Sequence, residues 1–262
     1  MEDEVRDLVG DVGTKQVSPA EFHQQFLTAS VPVVFEALAA NTRAVQTWSP
    51  AFFKARYGKT PALARVDGAR IADTQEQEET TVAEVVDDLL AGGKKYINNL
   101  ANLFYYNPEL LEDLDLPLVR QYGGKVFACA QLFMGGPDTG TSFHCAEGTA
   151  LFVMVYGEKR WTLVHPAHTL WMSPFTQRDM LYGVTSINHN APADVLERDF
   201  PLYAYVPKYV TDLKPGDVLF FPRWWWHAVD NLTPATIGVA TRWATKLVRC
   251  GSPFAVLNWF SW

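Results

Sequence analysis

The fold is decided by the stretch Gly216-Asp217-Val218-Leu219-Phe220-Phe221-Pro222-Arg223-Trp224-Trp225-Trp226-His227-Ala228-Val229. It overlaps a turn signal, Lys214-Pro215-Gly216-Asp217, and continues as a short apolar run that is typical of a β-strand. An aromatic corner then leads to a histidine. The stretch therefore predicts a strand that begins at a tight turn, followed by an imidazole at the aromatic corner.

Similar β-rich segments fill the chain from about residue 124 onward. The segments that we predict as strands are Val126–Phe133, Ala150–Tyr156, Arg160–Val164, Tyr203–Tyr209, Val218–Phe221 and Thr236–Ala240. Turn signals separate them, among them Gly135-Gly136-Pro137-Asp138 and Gly157-Glu158. Many short strands joined by such turns indicate an antiparallel sandwich or barrel.

The earlier part of the chain carries helix signals instead. Ser18-Pro19-Ala20-Glu21 and Ser49-Pro50 are typical of helix starts, with a capping serine before a proline. Thr81–Leu90 has the apolar spacing of an amphipathic helix, and Val31–Phe35 is a short β-branched run that predicts a first strand. Helices therefore come first along the chain, and strands dominate later.

The length and composition suit one compact unit. The chain has 262 residues, of which 48% are hydrophobic, and a β-barrel protein of this size commonly forms one domain. We predict an α+β fold in a single domain, residues 1–262, with a helical part at about 1–123 and a β-barrel core at about 124–245.

The charge and the cysteines exclude several classes of function. The net charge is −7 and the pI is near 5.4, so the basic field of a nucleic-acid binder is missing, and an anionic membrane surface is disfavoured for the same reason. No apolar run approaches the ~20 residues of a membrane span. Three widely spaced cysteines and an acidic N-terminus without a signal-peptide pattern lead us to expect a cytoplasmic protein.

Two of the six histidines stand in surroundings that point to chemistry. His144 follows Thr141-Ser142-Phe143, between a turn and a strand, and His227 ends the aromatic corner described above. A mononuclear Fe(II) oxygenase uses two histidines and a carboxylate on one face of the metal. A barrel brings together residues that are distant in sequence, so the separation of His144 and His227 is compatible with one metal site. The alternative is that each is a hydrogen-bonded core or loop histidine.

These segments resemble the JmjC/cupin family of Fe(II)- and 2-oxoglutarate-dependent oxygenases, and in particular small hydroxylases similar to the asparaginyl hydroxylase of hypoxia-inducible factor. Thr141–His144 with the hairpin Val155–Trp161 resembles the family's first metal-ligand segment, and Gly216–His227 resembles its distal-histidine segment. The likeness covers about residues 30–245. It implies a double-stranded β-helix (jelly-roll or cupin) core that binds Fe(II) and the co-substrate 2-oxoglutarate, and that oxidises a C–H bond while 2-oxoglutarate becomes succinate.

The resemblance also implies roles for individual side chains. His144 and His227 correspond to metal ligands and catalytic residues. Lys159 corresponds to the lysine that pairs with the distal carboxylate of 2-oxoglutarate, Thr141 to a hydroxyl donor to that carboxylate, and Tyr96 to the tyrosine that completes the pocket. The alternatives are an exposed lysine in a Gly-Glu-Lys turn and an ordinary buried strand tyrosine.

The sequence departs from the family's His-x-Asp/Glu motif at Ala146, which has no ligating atom. Three hypotheses follow: Glu147 replaces the missing carboxylate as a metal ligand, chloride occupies the vacated site as in iron-dependent halogenases, or the protein is a non-catalytic binding module. Ala150 and Thr241 also stand where the most similar hydroxylases have asparagines. A cupin isomerase or dioxygenase that uses no keto acid is a further alternative, and it would not need Lys159 inside the barrel.

The substrate is not encoded in any motif. We expect a small-molecule or peptide substrate, with neither nucleic acid nor membrane as a partner. The apolar end of the chain, Phe254–Trp262, is expected either to dock on the core or to form a homodimer interface.

Overall fold

The computed structural model describes residues 9–12, 18–66, 77–123, 126–176 and 182–244. The strands are β1 (Val9–Asp11), β2 (Val33–Phe35), β3 (Pro61–Arg65), β4 (Gln77–Thr81), β5 (Tyr96–Leu100), β6 (Val126–Gly135), β7 (Gly140–Ala146), β8 (Thr149–Tyr156), β9 (Lys159–Val164), β10 (Pro174–Thr176), β11 (Tyr182–Thr185), β12 (Lys208–Leu213), β13 (Val218–Phe221), β14 (Trp226–Asn231) and β15 (Thr236–Ala244). The α-helices are α1 (Pro19–Phe22), α2 (Arg43–Thr47), α3 (Pro50–Tyr57), α4 (Val82–Leu90), α5 (Asn102–Tyr106), α6 (Glu109–Asp113), α7 (Leu116–Tyr122) and α8 (Ala193–Asp199).

Within the described residues the strands form two sheets. The first has seven strands in the order β1-β12-β9-β14-β7-β11-β10, and the second has eight in the order β2-β13-β8-β15-β6-β5-β3-β4. The pairings are antiparallel except that of β1 with β12. This arrangement, with helices added to one sheet, is a double-stranded β-helix, and the predicted α+β fold is confirmed.

Three layers of core hold the described sheets and helices together, and two of them border the strands that carry the site. The larger layer packs the helices against the eight-stranded sheet, and it includes Trp48, Phe53 and Phe220. The other lies between the sheets and includes Phe152, Trp161 and Leu219. Because neighbouring residues of a strand point to opposite faces, β13 sends Phe220 to one layer and Leu219 to the other. The functional side chains described below lie in the space between the two sheets.

The turn at Lys214–Asp217 and the helix starts predicted from the sequence are present in the structure. The Lys214–Asp217 turn is closed by a 2.9 Å bond from the Asp217 N–H to the Lys214 carbonyl, with Gly216 at φ +97° as such a turn requires. Ser18, Ser49 and Thr81 each cap a helix through the side-chain oxygen. Strand β13 has the predicted bounds.

Two predictions about the elements are wrong. The predicted first strand at Val31–Phe35 is present as β2, but the part predicted to be helical also supplies β1, β3, β4 and β5, of which the last three extend the eight-stranded sheet. The predicted strand Tyr203–Tyr209 is a 3₁₀ turn at Pro201–Tyr205 followed by β12. Pro201 and Pro207 explain this, since a proline has no N–H to donate to a strand ladder.

No helix among the described ranges is long and apolar enough to cross a membrane. The apolar segment Phe254–Trp262, for which we expected docking or dimerisation, lies outside the described residues.

Candidate functional site

His144 and His227 lie side by side on neighbouring strands. β7 and β14 pair so that the two histidines are directly opposite each other, and their ring centroids are 4.1 Å apart. Both rings line a cavity between the sheets, together with Lys159, Trp161 and Arg242. The cavity is narrow, about 30 Å³, which is room for one or two waters.

A β-bulge in β7 places Thr141 in the same cavity as His144. His144 pairs with His227 and Thr141 pairs with Val229, so β7 advances three residues while β14 advances two. Without this extra residue, alternation would turn side chains three positions apart to opposite faces. The bulge therefore explains how a Thr-x-x-His spacing supplies two residues to one site.

Both imidazoles are held neutral and are oriented by backbone carbonyls. Nδ1 of His144 lies 3.0 Å from the Ser142 carbonyl, and Nδ1 of His227 lies 2.9 Å from the Trp225 carbonyl. A carbonyl only accepts, so Nδ1 carries the proton and Nε2 carries the lone pair. Burial lowers the pKa of His144 to about 4 and that of His227 well below its ordinary value. Neutral imidazoles oriented by carbonyls are typical metal ligands.

Lys159 is completely buried in the cavity wall. Its ammonium donates a hydrogen bond to Oδ1 of Asn231 and lies 5.6 Å from the centroid of the Tyr96 ring. Burial lowers the pKa of Lys159 to about 7. An exposed turn lysine is therefore excluded, and a buried cation of this kind is costly unless an anion neutralises it.

Hydroxyl and amide groups surround this ammonium. The Tyr96 hydroxyl and Oγ1 of Thr141 are 3.2 Å apart and share a hydrogen bond. Asn231 is held in place by donation to Oγ1 of Thr139 at 2.7 Å and by a 2.9 Å bond from the Thr236 hydroxyl. The structure therefore brings the predicted residues Tyr96, Thr141 and Lys159 to one end of the cavity.

Glu147 does not join the histidines. It follows the last residue of β7, is partly exposed, and is not among the residues that line the cavity. The pairing of β7 with β11 is regular from His144 to Ala146, so Ala146 lies on the same face as His144, whereas Glu147 lies beyond the end of the strand. No group of three His, Cys, Asp or Glu side chains in the described part of the chain is placed to hold a metal. The expected third ligand at Glu147 is not provided by this geometry.

Two cavity residues with hydrogen-bonding side chains, Arg242 and Trp161, were not predicted as site residues from the sequence. Arg242 on β15 lines the cavity, and its Nε donates to Oε1 of Gln131 at 3.0 Å. Thr241 stands where the most similar hydroxylases have an asparagine, and its hydroxyl donates a hydrogen bond to the Leu151 carbonyl. Trp161 stacks near His227, with ring centroids 5.7 Å apart, and its buried Nε1 has no hydrogen-bond partner among the described residues. That N–H is a donor available to a bound group.

Comparison with known proteins identifies the family. Residues 19–247 match the family model described as a cupin-like domain. The chain belongs to the cupin-like family. It is 24% identical to the human bifunctional peptidase and (3S)-lysyl hydroxylase JMJD7, over 83% of this chain and 78% of that protein. The resemblance to JmjC/cupin proteins noted in the sequence is thereby confirmed.

Two other relatives are considerably longer than the region that they share with this chain. Identity is 31% to the HSPB1-associated protein 1 homolog of Danio rerio, over 55% of this chain and 31% of that protein. It is 24% to lysine-specific demethylase 8 of Xenopus tropicalis, over 80% of this chain and 48% of that protein. The chain thus spans less than a third of the first protein and about half of the second.

Proposed function

We propose that this protein is an Fe(II)- and 2-oxoglutarate-dependent oxygenase that oxidises a C–H bond of a small-molecule or peptide substrate. The observation that carries the proposal is the buried Lys159 ammonium in the same cavity as two neutral, carbonyl-oriented histidines. A metal-dependent cupin without a keto acid has no use for such a cation, whereas a dicarboxylate co-substrate neutralises it.

His144 and His227 fit a divalent metal through Nε2, because their Nδ1 protons are already engaged by backbone carbonyls. When bound there, Fe(II) and 2-oxoglutarate supply the oxidising chemistry, with O₂ consumed and succinate and CO₂ released. The protein's contribution is to keep both imidazoles neutral, fix their orientation and exclude water with the aromatic wall of Trp161 and Phe221.

The co-substrate's distal carboxylate fits the end of the cavity formed by Lys159, Thr141 and Tyr96. The ammonium supplies charge, and the two hydroxyls supply neutral donors. Because the cavity is about 30 Å³, a five-carbon keto acid enters only when lining side chains rotate. The Lys159 side chain, with four rotatable bonds, is suited to that adjustment.

Turnover of the keto acid without added substrate tests this proposal. Wild-type protein incubated with Fe(II), ascorbate and 2-oxoglutarate in air should form succinate slowly, followed by NMR, while His227→Ala should form none. A wild-type protein that binds both Fe(II) and 2-oxoglutarate yet forms no succinate would be a binding module and not an oxygenase.

A second candidate is a halogenase with chloride beside the metal. The observation that favours it is that Ala146 lies on the face of β7 that carries His144, where a carboxylate ligand is expected, and that Glu147 lies off the cavity. Arg242, which lines the same cavity, favours an additional anion electrostatically.

Substitutions at these two positions separate the candidates. Glu147→Ala should change Fe(II) affinity less than about twofold, because Glu147 does not reach the histidines. Ala146→Asp should raise the affinity about tenfold or more by adding a carboxylate ligand, and should remove any effect of chloride on the anaerobic spectrum. If Glu147→Ala abolishes Fe(II) binding, Glu147 is the third ligand after all. If chloride has no effect on the wild-type spectrum, the halogenase is excluded.

A further inference from the structure

The Lys159 ammonium is held by an amide on the neighbouring strand. Lys159 on β9 lies directly opposite Asn231 on β14, and its Nζ donates a hydrogen bond to Oδ1 of Asn231. Both side chains are buried. An ammonium has three N–H donors, and among the described residues Asn231 accepts one of them. The amide therefore limits the directions in which the other two donors can point.

Thr139 fixes the orientation of this amide. The Thr139 hydroxyl donates to the Gly136 carbonyl at 2.7 Å. A hydroxyl has one proton, so towards Asn231 the same oxygen is an acceptor, and Nδ2 of Asn231 donates to it at 2.7 Å. Because Nδ2 is engaged on that side, Oδ1 faces Lys159. A flipped amide would instead turn its N–H groups towards the ammonium.

Two further positions complete the arrangement. The Thr236 hydroxyl lies 2.9 Å from Oδ1 of Asn231 and 2.9 Å from the Gly135 carbonyl. A Cβ at Gly135 would lie 2.6 Å from Oγ1 of Thr139 and 2.8 Å from Nδ2 of Asn231, so the missing side chain leaves room for these groups to meet. We call Thr139, Asn231 and Thr236 the amide network.

The acceptor that the amide network offers to Lys159 is neutral. A carboxylate at this position would pair with the ammonium and compensate its charge before any ligand arrived. An amide supplies the same acceptor oxygen without a charge, and the described residues that line the cavity include no carboxylate. The cost of burying the Lys159 cation is therefore relieved when a negatively charged ligand binds beside it.

We propose that Asn231 is a positioning residue for the co-substrate, whose fixed amide directs the Lys159 ammonium, with its charge retained, towards the distal carboxylate of 2-oxoglutarate. The inference rests on the proposed oxygenase function. Asn231 is not among the residues that line the cavity, so it acts through Lys159 and not by contact with the keto acid.

The first experiment replaces the amide by a carboxylate of the same shape. Calorimetry with the full-length, Mn(II)-loaded protein measures 2-oxoglutarate affinity, which should fall about tenfold or more in Asn231→Asp, because the new carboxylate competes for the ammonium. Mn(II) affinity should change less than about twofold. The melting temperature of the unliganded variant should stay equal or rise, because a buried cation gains a partner, whereas a merely structural Asn231 predicts a lower melting temperature and unchanged affinity.

The matched control is Asn102→Asp, which adds the same charge at an exposed position at the start of α5. This variant should bind 2-oxoglutarate and Mn(II) as the wild type does.

A second pair of variants tests the orientation of the amide and serves if Asn231→Asp does not fold. Thr139→Val keeps the shape of the side chain but removes the oxygen that accepts from Nδ2, so 2-oxoglutarate affinity should fall about threefold or more. Thr139→Ser retains the oxygen and should recover most of the affinity lost in Thr139→Val. Equal affinities in Thr139→Val and the wild type would contradict the inference.

The outcomes separate this inference from the proposed function. If the Mn(II)-loaded wild type binds no 2-oxoglutarate, the oxygenase proposal fails and the inference falls with it. If Lys159→Met weakens 2-oxoglutarate binding while Asn231→Asp and Thr139→Val bind it as the wild type does, the inference alone is overturned. If Asn231→Asp lowers Mn(II) affinity as much as 2-oxoglutarate affinity, the amide network supports the whole cavity and the assignment to Lys159 is wrong.

Discussion

Replacement of His144 or His227 by alanine should lower the affinity for divalent metal more than about 100-fold. Substitution of a residue that merely supports a metal ligand commonly lowers metal affinity 10- to 100-fold. Here the substitution removes one of the two ligands themselves, and the described residues supply no carboxylate as a third ligand. Anaerobic calorimetry with Fe(II), and with Co(II) as a redox-stable probe, measures the affinity directly.

The matched control for the histidines is His165→Ala. His165 lies outside the cavity, where its Nδ1 accepts a bond from the Ala167 N–H, so its loss should leave metal affinity unchanged. If either His144→Ala or His227→Ala binds metal as tightly as the wild type, the paired histidines are core residues and the metal assignment is wrong.

The second large effect is expected for Lys159→Met. Methionine fills similar space but removes the ammonium, so 2-oxoglutarate affinity in the Mn(II)-loaded protein should fall by about 1.5–3 kcal/mol, or roughly 10- to 150-fold. Metal affinity should change little, because Lys159 pairs with Asn231, four residues along β14 from the proposed ligand His227. Lys214→Met, an exposed turn position, is the control and should leave both affinities unchanged.

The same substitution should make the unliganded protein more stable. Burial lowers the pKa of Lys159 from 10.5 to about 7, so between these values the unfolded chain holds a proton that the folded chain has lost. Stability of the wild type therefore rises with pH through this window, and the cost of Lys159 is complete below about pH 7. The advantage of Lys159→Met, about 1–4 kcal/mol, should be largest at or below pH 7 and vanish near pH 10.5. A destabilised variant would instead mean that Lys159 is a structural residue.

The parts of the molecule that follow from local sequence were predictable. Lys214–Asp217 forms its turn because proline fixes its own φ and glycine adopts the positive φ that the turn requires. The short apolar run after this turn is typical of a β-strand. The resemblance supplied His144, His227 and Lys159 as one group. The sequence around Lys159 alone left an exposed turn equally plausible, and only the packing of β9 against β14 shows that its side chain points inward.

The remainder depends on contacts between distant segments. The expectation for Glu147 treated the residues after His144 as a loop, whereas β7 continues through Ala146 and sets which side chain faces inward. Arg65 on β3 and Arg242 on β15 are separated by most of the chain, and they belong to one sheet only because β3 and β5 extend its edge. Since that part was predicted to be helical, no sequence pattern available to us linked the two arginines.

The central claim is that His144, His227 and Lys159 form one site for Fe(II) and 2-oxoglutarate. The most direct test is an anaerobic visible spectrum of the protein with each compound alone and with both together. A metal-to-ligand charge-transfer band should develop only when both are present, and it should be absent in His144→Ala and greatly weakened at limiting 2-oxoglutarate in Lys159→Met. A wild-type protein that shows no band with both compounds at saturating concentration would contradict the account.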